Sequence, residues 1–504
     1  MRTTAARLIS AAAAAALCAS LACGCAAPAQ QDGSAPLQEQ GQASESQTGE
    51  PTDNAQSSPA ESVTGGLRFL DTTSDDVLSK YYQDVFAEFT AQTGIAVSYE
   101  SIPGEFARDK LILLNTVAQM PDIVITRAGW LKELVSNDCL ISLAKYASPV
   151  LYDFSDVVTK AVWRREREQL EGIYSVPYAL RVQCVYYRKD WAERIIKSDR
   201  MIEQEALLSN DEDALKRKEE LDKLPKFTLS QQWTYDDLLA LIRRTTNRVS
   251  KRYGLALVGN EGAFDYFNDF MQNFSDGYTF DASDVCVYNS NPMIQAMTLY
   301  CGLVSDGCVP ADAYNWNKRE ALNSFLSGMT AVYVGDSSDL TQIMNQMEAS
   351  ELGVLPMPLN TVTGKRLNDI TAPFSYSITS DCQRPEDAWK LIDYLTGPAV
   401  NVPFCKQHDL LPVRKTLEFD LDYSDGGKYY PFISQLSDPQ LLIPQTVPEL
   451  DSFDQIRSEL WKYINGISDE VMTMSNVSQL LTHSLNAFLS ENPLYRLNTP
   501  AALS

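Results

Sequence analysis

Residues 121–130 read PDIVITRAGW, with Ile123, Val124 and Ile125 in an unbroken apolar run. Such a run, without polar alternation, suits a strand covered on both faces, as in a parallel sheet. The sequence before it supplies the partners. FARDKLILLNTVAQM (106–120) carries apolar residues at helical spacing, and AVSYESI (96–102) alternates as a strand does. VLSKYYQDVFAEFTAQTGI (77–95) is again helical, and GLRFLDTTSDD (66–76) is a short apolar strand ending in polar residues. Strand, helix, strand, helix, strand is the pattern of a doubly wound α/β sheet, whose ligands sit beyond the carboxyl ends of the strands. Those ends are DTTS (71–74) and TRAGW (126–130).

Further along, IYSVPYALRVQCVYYR (173–188) predicts two strands around Pro177, and residues 189–224 predict a long charged helical stretch. Helices are expected in 233–247, 291–307, 319–329, 384–398, 453–471 and 476–491, and strands in 253–258, 330–336, 352–359 and 375–380. No internal repeat is visible. About 440 residues follow Gly66, too many for one hydrophobic core, so two or more lobes are expected.

The 42 basic and 66 acidic residues give a net charge of −24, which argues against nucleic acid and against surface binding to an anionic membrane. Of ten cysteines, Cys18, Cys23 and Cys25 lie near the N-terminus, leaving an odd seven in the body. These read as small buried apolar residues; Cys301 and Cys308 could pair only if the chain turned back at Ser305–Gly307. The two histidines, His408 and His483, sit in no metal-ligand spacing, and no cofactor or metal site is expected.

At the N-terminus, Arg2 and Arg7 precede an alanine-rich apolar run and then small residues around Cys23 and Cys25. This is the layout of a secretory signal. It resembles the bacterial lipoprotein signal, in which a cysteine is acylated after cleavage. Neither cysteine matches that pattern fully; Cys25 is preferred, giving a signal over 1–24, with Cys23 the alternative. No Lys or Arg occurs between Arg7 and Arg68, and no aromatic residue before Phe69. Residues 25–65 therefore read as a disordered tether, with a reach of roughly 35 Å.

The body resembles the family 1 extracellular solute-binding proteins of bacterial ABC importers, the maltose-binding-protein-like group. Eight stretches carry the resemblance in the family's order: VFAEFTAQTGIAVSYESIP, MPDIVITRAGWLKELVSNDCLISL, GIYSVPYALRVQCVYYRKDW, WTYDDLLALIRRTT, ALNSFLSGMTAVYVGD, GVLPMPL, PEDAWKLIDYLTGP and LLPVRK. The resemblance implies a two-lobed α/β fold of the periplasmic-binding-protein type II, each lobe a doubly wound sheet, with ligand clamped between lobes. Matching places 66–175 and 374–414 in lobe 1, and 176–373 and 415–504 in lobe 2, with 197–231 as a helical insertion. Crossings are expected near Ile173–Tyr178, Thr371–Phe374 and Leu411–Lys415. With the N-terminal signal, it further implies a membrane-anchored protein on the extracytoplasmic face that delivers a carbohydrate-like ligand to a permease; nothing in the sequence points to an oligomer, and a monomer is expected.

The candidate ligand-binding residues are Asp71, Thr72, Thr126, Arg127, Trp130, Tyr178, Arg181, Asp336, Tyr376 and Phe453. Asp71 and Thr72 follow the first strand, where Thr72 or Thr73 can equally cap the next helix. Trp130 offers a ring to stack on sugar or to pack between lobes. Sugar-binding members often carry an aromatic just after the PDIV strand; this chain has Thr126 and Arg127. Where maltose-binding proteins place a carboxylate after the crossover proline, it has Arg181. Tyr178 and Arg181 flank that crossover, while Asp336 and Tyr376 match positions that often line the cleft. Phe453 aligns with an aromatic of the C-terminal pocket wall. Two arginines would suit a carboxylate, phosphate or sulfate on the ligand. They can equally pair with Asp71 and Asp336, leaving a neutral pocket. An exported sensor with the same clamp, and an envelope glycan enzyme using a carboxylate pair, are the competing readings.

Overall fold

A computed structural model describes residues 65–73, 76–209, 211–260, 262–415, 420–445, 458, 474–491 and 500–502. The signal, Cys23, Cys25, nearly all of the tether and Phe453 lie outside them. Two mixed sheets organise the body. The first has the order β2-β1-β3-β10-β4, from β1 (Leu67–Asp71), β2 (Val97–Ser101), β3 (Ile123–Thr126), β4 (Val176–Pro177) and β10 (Ser375–Ile378). β1 runs parallel to β2 and β3, and β10 is antiparallel to β3 and β4. The second has the order β6-β7-β5-β8, from β5 (Gln183–Arg188), β6 (Tyr253–Ala256), β7 (Thr330–Asp336) and β8 (Leu352–Pro356). A small third sheet joins β9 (Arg366–Leu367), β11 (Leu441–Ile443) and β12 (Ala501–Ala502).

The central run behaves as its composition demands: all four residues of β3 are buried. Local signals fix many helix starts. Thr234 and Asp237 form a reciprocal capping box at helix Tyr235–Thr245, and Asn317 and Glu320 do the same at Lys318–Leu326. The charged stretch after residue 188 divides into two helices, Lys189–Leu208 and Glu212–Asp222, because Asp211 accepts from the Asp213 amide and caps the second. Helix Met474–Glu491 buries Val477, Leu481, Leu485 and Leu489 against Phe264, Phe267, Met293 and Met297. That i,i+4 stripe is the periodicity visible in the sequence. The helices Trp163–Leu170, Ala263–Gln272 and Pro398–Gln407 were not among those expected. All seven body cysteines are free and buried, Cys301 and Cys308 included.

Three segments cross between the sheets side by side. Leu180 and Leu411 exchange both backbone bonds at 2.8 Å, and Arg181 and Thr371 do so at 2.8 and 3.1 Å. Asn401 fastens the first and third of these, donating to Tyr178 O at 2.6 Å and accepting from the Val413 amide at 3.3 Å. Because β4 still belongs to the first sheet, the first crossing falls at Ala179–Arg181, beyond the expected Ile173–Tyr178 and the expected lobe boundary at residue 175.

Candidate functional site

The crossing segments bring the carboxyl ends of β3 and β7 to one place. Phe374 leads from the second crossing into β10 and meets Arg127 just past β3. Gln183, two residues past Arg181, stands in register with Asp336 at the end of β7. These strand ends of the two sheets therefore flank the hinge, the place of the expected interlobe cleft.

On the first lobe's wall, the exposed Arg127 guanidinium lies 5.2 Å from the ring centres of both Trp130 and Phe374. Phe374 in turn stacks on Tyr178 at 6.1 Å with rings 7° from parallel. Arg127 precedes helix Ala128–Ser136 as its N-cap and makes no side-chain cap bond there. Gly104, at the start of helix Gly104–Thr116, gives the guanidinium its room: a Cβ there would meet Arg127 Nη2 at 2.8 Å and Thr72 O at 2.6 Å.

The other candidates on this wall are engaged inside the lobe. Asp71 is fully buried, with one carboxylate oxygen accepting from the Thr73 amide and hydroxyl at 2.7 Å and the other from Tyr99 at 2.8 Å. Thr72 donates to Ile125 O at 2.9 Å, and Thr126 bonds Ser377 Oγ at 2.9 Å. Tyr376 turns away from the cleft into the aromatic core, its hydroxyl 3.0 Å from that of Tyr82. Tyr178 is 3% exposed and serves as the stacking base for Phe374. Within the lobe, Asp71, Thr72, Thr126 and Tyr376 are thus engaged through hydrogen bonds and Tyr178 through ring stacking.

On the second lobe's wall, Asp336 accepts from Lys318 Nζ at 2.6 Å and from the Ser338 amide and hydroxyl at 2.8 and 2.5 Å. Asp339 faces the same ammonium at 3.2 Å and accepts from Tyr333 at 3.0 Å. Burial pushes the Asp336 carboxyl up, but Lys318, Ser338 and Arg181 together hold it below the usual range. Burial, then the neighbouring Asp336 charge, pushes Asp339 up. Arg181 is half-buried; its Nε is buried with no hydrogen-bond partner among the described residues.

Phe374, Gly104, Lys318 and Asp339 escaped the sequence reading. So did Asp269, which accepts from Gln183 Nε2 at 2.8 Å. Burial, then the nearby Asp369, drives its carboxyl well above the usual range. Of these, Asp339 had a signal: the spacing of Asp336 and Asp339 is a capping-box pattern.

The profile of the bacterial extracellular solute-binding protein family matches residues 74–402. Binding proteins of Brucella abortus and Brucella suis are each 21% identical over 346 residues, 68% of this chain and 74% of theirs. Among solved structures, the sugar-binding protein MalE of Xanthomonas citri superposes with a TM-score of 0.61 at 17% identity, covering 85% of this chain and 98% of that one. A cyclo/maltodextrin-binding protein complexed with maltotetraose gives 0.60 at 17%, covering 84% and 97%. A solute-binding protein of Agrobacterium radiobacter in complex with ribitol gives 0.55 at 15%, covering 84% and 98%. At such identities the structures speak for the fold, and the profile speaks for the family. This chain belongs to the bacterial extracellular solute-binding protein family and has its two-lobed fold.

Proposed function

We propose that this protein closes its two lobes on a carbohydrate-like solute and delivers it to an ABC importer, held to the membrane through acylated Cys25, or Cys23 in its place. The observation that carries this reading is the platform of exposed Arg127 between the half-buried rings of Trp130 and Phe374. Rings take up the apolar C–H faces of sugars, and a charged fork takes paired oxygens. The relatives bound to maltotetraose and ribitol, both polyhydroxylated, support it. The reading is one of binding without turnover.

A thermal-shift screen against neutral and acidic oligosaccharides, polyols, amino acids and peptides tests it. A ligand at a hundredfold over its dissociation constant should add about 2.7 kcal/mol of stability. Stabilisation by amino acids or peptides and by no polyhydroxylated solute would exclude the carbohydrate reading; conversion of a stabilising sugar to product would exclude the non-enzymatic one. Replacing Cys23 and Cys25 together by Ser should release the protein from membranes, and retention there would count against the anchor.

A further inference from the structure

The sequence left open whether the two cleft arginines are spent on Asp71 and Asp336 or are left for a ligand. The carboxylates answer. Asp71 is saturated by Thr73 and Tyr99, and Asp336 by Lys318 and Ser338. Neither Arg127 nor Arg181 has an ion pair among the described residues; Arg181 acts on Asp336 only through its field. Arg127 is held all the same, by two rings and by the space over Gly104. A guanidinium fixed by its faces keeps its edge, with the N–H donors, open toward solvent. Arg181 brings a second charge at the hinge, with one buried N–H unsatisfied. Such a donor is costly to leave unmade.

The two arginines are linked through one crossing. Phe374, beneath Arg127, and Thr371, paired with Arg181, are three residues apart on the same crossing. That separation is about 10 Å in extended chain, the span of a disaccharide-sized ligand. On the opposite wall Asp336 and Asp339 share the Lys318 ammonium, at 2.6 and 3.2 Å, which offsets their charge. The helices Gly104–Thr116 and Ala128–Ser136 also begin beside Arg127 without a side-chain cap, adding amide dipoles of the same sign.

We infer that the ligand of this cleft is an anionic saccharide, whose carboxylate or sulfate is taken by Arg127 with Arg181 as the second cationic contact. This rests on the carbohydrate reading above. An anion so placed adds the acceptor that both guanidinium groups lack, while its ring lies against Trp130.

The test is titration calorimetry with three probes: a uronic-acid trisaccharide, the same trisaccharide with its carboxyls reduced to alcohols, and a sulfated neutral trisaccharide. At least one anionic probe should bind tenfold or more tightly than the reduced one, with affinity that falls as salt is raised. Whether the uronate or the sulfate is preferred identifies the anion. Arg127→Gln should weaken the preferred probe about ten- to a hundredfold and flatten its salt dependence, and Arg127→Lys should recover only part, having the charge without the fork. Circular dichroism of the variants checks that they fold. Equal or tighter binding of the reduced trisaccharide, or an Arg127→Gln affinity within twofold of the parent, overturns the inference while leaving the carbohydrate reading intact. Absence of binding by all three probes also overturns it, and the broader screen above then decides the carbohydrate reading separately.

Discussion

On the second lobe's wall of the cleft, Asp336 and Asp339 share Lys318 at 2.6 and 3.2 Å, whereas on the first lobe's wall Arg127 meets only rings and backbone. Both walls carry charge at strand ends, so position alone does not separate them. The difference is where each charge finds its counterpart. The acids of the second wall find theirs within it, in Lys318. The cation of the first wall is held without being neutralised, and that is the condition for a ligand contact.

A second contrast across the same two lobes has the larger expected effect. Glu166, in the first lobe, is buried and accepts from the Tyr174 amide at 2.6 Å, the Ser175 amide at 3.1 Å and the Ser175 hydroxyl at 2.5 Å, with no ion pair among the described residues. Burial outweighs those donors and pushes its carboxyl up to about 7. Asp336, beside Lys318, is shifted the opposite way. The unfolded chain releases the Glu166 proton at its ordinary value near 4.5, so between there and about 7 the folded state holds the extra proton. Stability should therefore fall as pH rises through that window, by up to about 3 kcal/mol from this group. Asp336 has the reverse sign: its contribution is present above its unfolded value and is lost as pH falls through the depressed folded one. Denaturant melts across the pH range, with Glu166→Gln removing the neutral-side slope and Asp336→Asn the acid-side one, read the two apart. A Glu166→Gln profile unchanged from the parent would erase the contrast.

The walls themselves differ next. Removing one member of a buried ion pair costs about 3–5 kcal/mol. Lys318 is 37% exposed, so screening reduces the expected cost of Lys318→Met to about 1–3 kcal/mol. Arg127→Gln, with no ion pair to break, should change stability by no more than about 0.5 kcal/mol. Paired urea unfolding curves check this, and a larger loss for Arg127→Gln would mean that its role is structural.

Tyr376 sharpens the comparison from inside one wall. Tyr376→Phe deletes the hydroxyl contact to Tyr82 and should cost about 1 kcal/mol while leaving ligand affinity unaltered. Weakened binding without lost stability would return Tyr376 to the cleft. Its packing shows what the sequence could convey. The βαβαβ order around residues 121–130, the helix Met474–Glu491 and the strand-end positions of Arg127 and Asp336 were legible because periodicity and turn chemistry are local. Tyr376 was not, because strand neighbours face opposite ways and its direction depends on register. Ser377 takes the face toward Thr126 and leaves Tyr376 the aromatic core. Phe374, Lys318 and Gly104 were illegible for another reason: each meets its partner across a long stretch of chain, so nothing in its own neighbourhood marks it.

Gly104 gives the smallest and most specific effect. It has no positive φ to defend, so its lack of a side chain matters only for space. Ala at the first turn of a helix gains a few tenths of a kcal/mol in propensity over Gly. Against that, the added carbon would stand 2.6 Å from a backbone oxygen and 2.8 Å from Arg127 Nη2, and the side chain is the easier of the two to displace. Gly104→Ala should therefore cost about 1 kcal/mol, through the shift forced on the Thr72 backbone, and lower affinity for an anionic saccharide about three- to tenfold, by moving the guanidinium off its rings. Combined with Arg127→Gln it should add nothing further, since both remove one contact. A double-mutant cycle by calorimetry measures this directly. Additive losses would place the effect of Gly104 in the Thr72 backbone and detach the glycine from ligand recognition.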